Sequence, residues 1–295
     1  MAISGIFVVD KPADWTSHDV VAKLRGALKI KRVGHGGTLD PMATGVLPVF
    51  VGRATRAAEF CENAEKEYIA GLKLGVITDT QDITGNIISE CEANVSSGEL
   101  TAVLASFLGH QKQIPPMYSA IKRDGKKLYE LARKGIEVER PARDINISAI
   151  ELLSSSGNGR DFDIRIACSK GTYIRTICHD IGAKLGVGGV MSSLRRTKAG
   201  VFSIDEATKL EEIVQRASLG DVSGLLLPAD SFFADYPIII IDKHDTQKVF
   251  NGASFLVSQP NGRYRFYGSN NEFLMLADVV CNKTKMVKGF FEPNP

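Results

Sequence analysis

The stretch VGHGGTLDPMATGVLP, residues 33–48, separates two regions of clear hydrophobic pattern and is dense in glycine and proline. Such a density predicts a loop whose backbone comes close to another part of the molecule, without a regular helix or strand. The loop presents His35 and Asp40. It lacks the lysine and the spacing of a phosphate-binding loop, so we do not expect it to bind a nucleotide.

Two interpretations of this loop are open on the residues alone. Asp40 precedes a proline, and an Asp-Pro turn in which the carboxylate caps backbone N–H groups is favoured by propensity. A lone loop histidine such as His35 is usually a surface residue. The alternative is that Asp40 is a catalytic carboxylate, which general acid–base or nucleophilic chemistry would require.

Outward from the loop, helices and strands alternate without a repeated unit. A strand is predicted at 5–9, followed by a helix capped by Thr16 or Ser17, and a helix over 53–66. Further strands are predicted at 68–76, 145–152, 161–168 and 189–196. Capping boxes start helices at Ser96 and Ser203, and an apolar stripe marks a helix after Tyr173. The pattern predicts an α+β fold.

Residues 113–143 are bounded by prolines and rich in basic residues, with a short helix predicted around 126–134. We interpret them as an excursion from the main domain. The pattern changes again near residue 236, where four short strand-like segments with Asn-Gly turns begin. We therefore predict a main domain at 1–235, which includes the excursion, and a small β-rich domain at 236–295.

The composition excludes several classes of protein. No apolar run reaches 18 residues and no secretory signal is present, so we expect no membrane span and a cytoplasmic location. The cysteines are scattered and show no zinc spacing, which favours reduced thiols and no metal site. We expect no cofactor.

Charge is uneven along the chain although the net charge is only +2. Residues 20–39 contain basic residues and no acid, and residues 122–143 contain eight basic residues against four acids. Such local surfaces suit a phosphate backbone, although on charge alone a solvated helix face is the favoured interpretation. The candidate backbone-binding residues are Lys122, Lys126, Lys127, Arg133 and Lys134.

The segment KGTYIR, residues 170–175, lies where a strand is predicted to pass into a helix. Tyr173 and Arg175 fall on different helical faces, so one can pack while the other points into a cleft. An arginine that reaches a buried carboxylate would keep that carboxylate ionised. A surface arginine beside a half-buried tyrosine is the alternative.

Several segments together resemble the TruB family of tRNA pseudouridine synthases. They run in the family's order from about residue 5 to residue 200, and include GIFVVDKP, GHGGTLDPMATGVLPV, EYIAGLKLGVITDTQDITG, PPMYSAIKRDGKKLYELARKGIEVERPAR and CSKGTYIRTICHDIGAKLG. The resemblance implies a mixed, largely antiparallel central sheet flanked by helices, with an RNA-binding cleft. The segment after residue 236 resembles the family's small PUA-type RNA-binding domain.

The resemblance also implies roles for particular residues. Asp40 matches the catalytic aspartate, and Arg175 matches the arginine that pairs with it. Tyr68 matches the tyrosine that stacks on the target base. Residues that line the substrate pocket or touch the T loop are matched by His35, Tyr173 and Leu194. In one departure, Ala13-Asp14-Trp15 follows Lys11-Pro12 where the family usually has a glycine, which makes the local turn uncertain.

The implied reaction converts the T-loop uridine of tRNA, position 55, to pseudouridine without a cofactor. The aspartate could attack C1′, add to the base, or act as a base in an elimination. The expected partner is the T arm of tRNA, with no membrane and no obligate protein partner, and we expect a monomer. The alternatives are a carboxylate-dependent hydrolase of a nucleoside glycosidic bond, and a non-catalytic RNA-binding or RNA-folding protein.

Overall fold

The computed structural model describes residues 3–123, 125–156 and 158–291. The helices are α1 (Ser17–Leu28), α2 (Ala58–Asn63), α3 (Ser97–Ala105), α4 (Leu128–Ala132), α5 (Ile174–Lys184), α6 (Leu210–Ser218) and α7 (Lys243–Phe250). The strands are β1 (Gly5–Lys11), β2 (Val33–His35), β3 (Thr44–Val51), β4 (Lys66–Leu74), β5 (Val76–Thr78), β6 (Ile87–Glu90), β7 (Gly109–Gln113), β8 (Lys122–Arg123), β9 (Lys126–Lys127), β10 (Arg143–Ser156), β11 (Asp161–Cys168), β12 (Gly189–Ala199), β13 (Phe202–Ser203), β14 (Thr208–Lys209), β15 (Ile238–Ile240), β16 (Gly262–Tyr267), β17 (Phe273–Val280) and β18 (Lys283–Gly289). Among these described residues, no helix has the length and apolar character needed to cross a membrane.

The chain packs into two compact units. One comprises Met1–Pro41, Val46–Glu62 and Gly200–Pro295, and the other comprises Met42–Gly45 and Asn63–Ala199. In the first unit β1 lies between β3 and the parallel β14, while β2 pairs antiparallel with β3. Helix α1 packs against α6, and its apolar residues Val20, Val21 and Leu24 are buried.

The second unit is built on a long antiparallel sheet. Its strand order is β12-β4-β11-β10-β7, and the first residues of β3, Thr44 and Gly45, add a parallel edge to β12. Helix α5 packs on β12 through the predicted stripe, of which Ile174, Ile177 and Ile181 are buried. A rigid sheet carrying a buried helix gives fixed positions for side chains at the start of α5.

The C-terminal segment forms a small β-rich domain with a core of its own. The sheet order is β15-β16-β17-β18, with β15 parallel to β16 and the remaining pairs antiparallel. Its apolar core contains Phe266, Leu274 and Val279, which are fully or almost fully buried. Helix α7 contributes the buried Val249 to the same core.

The structure corrects three of the sequence predictions. The glycine-rich loop is shorter than 33–48, because β2 and most of β3 occupy its two ends. Strands from distant parts of the chain pair here, and local glycine and proline content does not predict this pairing. The close approach requires glycine at position 45, because an added Cβ would lie 2.2 Å from the Arg196 carbonyl oxygen. The box at Ser203 caps only the 3₁₀ turn Ile204–Glu206, and the region beyond 236 contains α7 besides its four strands.

The predicted fold class is confirmed. A mixed, largely antiparallel sheet is accompanied by helices, and a small β-rich domain follows it in the chain. The capping box at Ser96 is present, with the Glu99 carboxylate 2.9 Å from the Ser96 backbone nitrogen. These elements were predicted because their signals are local, within one or two turns of chain.

Candidate active site

A buried lysine is hydrogen-bonded to the loop that carries Asp40. Lys11 is completely buried, and its Nζ donates to the backbone carbonyls of Pro12, Trp15 and Pro41 at 2.8, 2.6 and 3.1 Å. An ammonium group can be buried when its donors are satisfied, as these carbonyls allow. The lysine therefore ties the residue after Asp40 to the segment that follows β1.

The departure from the family pattern after Lys11-Pro12 is accommodated by Asp14. Its φ is 63°, in the left-handed region that glycine adopts most easily and that aspartate tolerates better than most residues. In this conformation the Asp14 backbone N–H donates to the Pro41 carbonyl at 2.9 Å. The turn therefore keeps its contact with the Asp40 loop without the glycine.

Ser17 holds the other side of the same loop. It is 1% exposed, and its hydroxyl accepts from the backbone N–H of Leu39 at 2.9 Å and donates to the Leu39 carbonyl at 3.3 Å. Asp40 is thus flanked by two residues, Leu39 and Pro41, whose backbone groups are bonded to buried side chains. Asp40 itself is half-buried, which suits a carboxylate that must meet a substrate.

His35 lies at the end of β2, on the same loop as Asp40. Its Nδ1 accepts from the Gly37 backbone N–H at 3.3 Å, and its ring packs edge-on against the His18 ring at 5.4 Å. His18 is exposed and was not predicted as a site residue. Gly36 must be glycine here, because an added Cβ would lie 2.5 Å from the Cys61 sulfur.

Arg175, in the second unit, is buried at the start of α5 and is not a surface arginine. Its side chain is 7% exposed, and its Nη1 and Nη2 donate to the carbonyls of Thr80 and Tyr118 at 3.2 and 2.9 Å. The Nε lies 3.8 Å from the Asp82 carboxylate. A planar guanidinium with several fixed partners is held in one orientation.

Asp82 is a site residue that the sequence analysis missed. It is 7% exposed, and its Oδ1 accepts from the Thr80 hydroxyl at 2.8 Å and from the Thr84 backbone N–H and hydroxyl at 3.0 and 2.6 Å. The sequence motifs assigned no role to Asp82 itself. Its presence in the family-like segment TDTQDITG was the available signal, and the arginine it faces is 93 residues away in the chain.

Tyr68 and Leu194 share one face of the sheet in the second unit. Tyr68 on β4 pairs with Arg196 on β12, and Leu194 pairs with Ala70, two residues along from Tyr68. Directly opposed residues in an antiparallel pair point to the same side. Tyr68 is 9% exposed and Leu194 is 8% exposed, so both side chains are largely buried.

Tyr173 stands at the N-cap of α5, two residues before Arg175. It makes no side-chain capping bond. Its backbone N–H and carbonyl are instead both bonded to the side-chain amide of Gln113, at 2.8 and 3.0 Å. Gln113 was not predicted as a site residue, because nothing local in the sequence pairs it with Tyr173.

The basic excursion forms a hairpin and a short helix, β8, β9 and α4. Lys127 lies with its Nζ 5.4 Å from the centre of the Tyr129 ring, and Arg133 lies at 5.4 Å from the same ring. Lys122, Lys126, Arg133 and Lys134 are exposed and Lys127 is half-buried. The predicted helix is present, although it is limited to Leu128–Ala132.

Two buried cysteines of the second unit can be excluded as nucleophiles. Burial raises the pKa of Cys168 and of Cys178 to about 12, so both thiols stay protonated near neutral pH. A protonated thiol is a poor nucleophile.

Comparison with known proteins places the chain in a family. The model of the TruB family pseudouridylate synthase N-terminal domain matches residues 25–174, and the model of the tRNA pseudouridylate synthase B C-terminal domain matches residues 175–234. Proteins named tRNA pseudouridine synthase B match most of the chain. The one from Syntrophomonas wolfei is 43% identical over 93% of both chains, and the one from Alkaliphilus oremlandii is 47% identical over 85% of this chain and 82% of its own.

Two solved structures of larger complexes contain a chain with the same fold. A chain of an H/ACA RNP bound to a substrate RNA containing 2′-deoxyuridine superposes with a TM-score of 0.74 at 25% identity, covering 98% of this chain and 86% of that one. A chain of a Cbf5-Nop10-Gar1 complex has a TM-score of 0.73 at 27% identity, covering 97% and 85%. On the family models and these relatives together, the chain belongs to the TruB family of pseudouridylate synthases.

Proposed function

We propose that this chain isomerises uridine to pseudouridine in tRNA, at the T-loop uridine (position 55), with Asp40 as the catalytic carboxylate. The chain belongs to a family of pseudouridylate synthases. The observation that carries the proposal is that Asp40 lies on a loop fixed at Leu39 and Pro41 by buried side chains. Such preorganisation suits a group that must meet a reacting atom with little freedom.

The reaction breaks the bond from N1 to C1′, turns the base and joins C5 to C1′. The C5 hydrogen leaves as a proton and N1 gains one, so no redox step occurs and the net composition is unchanged. A carboxylate can serve this chemistry by attack or by proton transfer. We propose that Arg175 pairs with Asp40, as the family resemblance implies.

The remaining predicted residues have binding roles in this proposal. The target uridine is stacked within a folded tRNA loop and must be flipped out before it can react. Tyr68 provides the aromatic surface for the flipped base, and Tyr173, Leu194 and His35 line the pocket or touch the T loop. The exposed cations of the excursion contact phosphates.

We further propose the division into a catalytic domain, 1–235, and an RNA-binding domain, 236–295. Because the substrate is tRNA, we infer a cytoplasmic location, and we also propose a monomer that acts without an obligate protein partner. The four-stranded sheet of β15 to β18 supports the division, since it has an apolar core of its own.

The function is tested by incubating the protein with an unmodified tRNA transcript and digesting the RNA to nucleosides. We expect pseudouridine in an amount of one per tRNA and no free uracil. Free uracil would instead identify a glycosidic hydrolase, and unchanged nucleosides with retained tRNA binding would identify a non-catalytic RNA-binding protein.

Tyr68 is expected to act through its ring. Tyr68→Phe retains the π-face and should keep most of the turnover, whereas Tyr68→Leu should lose stacking of about 1–3 kcal/mol, or roughly 5- to 150-fold. Single-turnover rates at saturating tRNA check this. If the phenylalanine variant is as slow as the leucine variant, the hydroxyl has a chemical role and the stacking assignment is wrong.

The excursion is expected to supply an electrostatic part of tRNA binding. Replacing Lys126, Lys127, Arg133 and Lys134 by glutamine should weaken binding and reduce the slope of log Kd against log salt by up to about 3, with turnover at saturation little changed. Binding measured across a salt series tests this expectation.

Two cations that already have acidic partners serve as the control for that experiment. Lys112 lies 2.9 Å from Asp144 and Arg160 lies 2.6 Å from Glu90. Glutamine at both positions should change the slope much less, because these charges are largely compensated. An unchanged slope in the fourfold variant would remove the excursion from the interface.

A further inference from the structure

Gln113 makes a two-way contact with the residue that opens α5. It is the last residue of β7, is 3% exposed, and pairs with Arg143 of β10 in the sheet. Its amide oxygen accepts from the Tyr173 N–H at 2.8 Å, and its amide nitrogen donates to the Tyr173 carbonyl at 3.0 Å. A side-chain amide thus satisfies both backbone groups of one residue, as a neighbouring strand would.

This contact lies where two segments of the candidate site begin. Residues 114–121 follow Gln113 directly, and within them the Tyr118 carbonyl accepts from Arg175. On the other side, Tyr173 leads into α5 and is separated from Arg175 by one residue. A shift of the Tyr173 backbone would therefore move both the tyrosine ring and the arginine that it precedes.

The contact joins the end of β7 to the N-cap of α5. Tyr173 is an N-cap residue without a side-chain capping bond, and its carbonyl accepts from the Ile177 backbone N–H at 3.1 Å as well as from Gln113. An amide has one donor side and one acceptor side, and both are used here in short bonds. A replacement that keeps both bonds to Tyr173 must therefore offer the same arrangement of donor and acceptor.

We infer that Gln113 is a positioning residue for pseudouridine formation, which fixes the backbone of Tyr173 and through it the start of α5. The inference rests on the proposed function. It assigns Gln113 no contact with the substrate. Its role is to hold Tyr173 and Arg175 where the flipped uridine meets them, so its loss should slow the reaction more than it weakens tRNA binding.

The test uses Gln113→Glu across a pH series. An ionised glutamate accepts from the Tyr173 N–H but cannot donate to the Tyr173 carbonyl, whereas a protonated glutamic acid can do both. Burial disfavours the charged form of the introduced carboxyl group, so this group becomes protonated as the pH falls. Relative to the unaltered protein, the single-turnover rate should be lower by about 10-fold or more at about pH 8.5 and recover towards equality at about pH 6.

Gln111→Glu is the matched control. Gln111 lies on the same strand and also donates its amide to a backbone carbonyl, that of Phe107, but it does not contact Tyr173. Its rate relative to the unaltered protein should not change with pH. If Gln113 has a purely structural role, Gln113→Glu should lower the melting temperature but leave the rate of the folded protein, and the pH dependence of that rate, as in the control. That result would overturn the inference.

A second variant tests the inference if the first does not fold. If circular dichroism shows Gln113→Glu unfolded at high pH, Gln113→Met is measured instead, with a lower rate at saturating tRNA and a Kd within about threefold of normal expected. A methionine variant with a normal rate would overturn the inference. The unaltered protein is assayed first: absence of pseudouridine there refutes the proposed function, whereas its presence with normal Gln113 variants refutes only the positioning role.

Discussion

Asp40→Asn is expected to abolish pseudouridine formation and leave tRNA binding nearly intact. Asparagine has the size of aspartate and most of its hydrogen-bonding capacity, but it has no charge and cannot attack carbon or accept a proton as a carboxylate does. The single-turnover rate should fall by about 10⁴-fold or more, with Kd for tRNA within about threefold. Such a split marks a group that acts in the transition state.

The alternative role of Asp40 predicts the opposite outcome. An aspartate that only caps a turn can be replaced by asparagine, which caps turns equally well. Asp14→Asn is a suitable control, because Asp14 lies in the neighbouring turn and contacts Pro41 only through its backbone N–H. That variant should turn over normally. Substantial turnover by Asp40→Asn would remove the carboxylate from the mechanism.

Arg175→Met is expected to have the second largest effect. The substitution removes the donors to the Thr80 and Tyr118 carbonyls and the cation beside Asp82. It also removes the proposed partner of Asp40. The rate at neutral pH should fall by about 10²- to 10³-fold, because the site loses a fixed positive charge and its oriented donors.

Two further variants show whether this loss is specific. Arg175→Lys keeps the charge without the planar fork, so its rate should lie between those of the methionine variant and the unaltered protein. Arg160→Met removes an arginine that also pairs with a carboxylate and a backbone carbonyl, those of Glu90 and Leu74. It should react normally. A normal rate for Arg175→Met would contradict the role assigned to Arg175.

The sequence predicted the elements that depend on residues close together in the chain, and it missed those that depend on distant residues. The stripe of α5, the N-cap of α1 and the capping box of α3 are set by residues three or four positions apart, and the structure contains them. Strand β3 was missed because its glycine and proline argue against a strand locally. Its partners, β2 and β12, come from elsewhere in the chain.

The candidate site shows the same division. Asp40 and Arg175 were identified through motifs of the family, and chemistry alone left Asp40 open as a turn residue. The residues that hold these groups were not predicted. Ser17 bonds a residue 22 positions away, Gln113 bonds one 60 positions away, and Thr80 accepts from Arg175, 95 positions away. A single sequence gives no signal for such pairings, since they depend on the completed fold.

Release of tritium from tRNA labelled at C5 of its uridines tests the central claim most directly. Joining C5 to C1′ displaces the hydrogen at C5, so isomerisation of one uridine must release one tritium per tRNA into water. We predict that stoichiometry with the unaltered protein, and no release from a transcript with cytidine in place of the T-loop uridine. Tritium that stays in the RNA, or that leaves only within free uracil, would contradict the account.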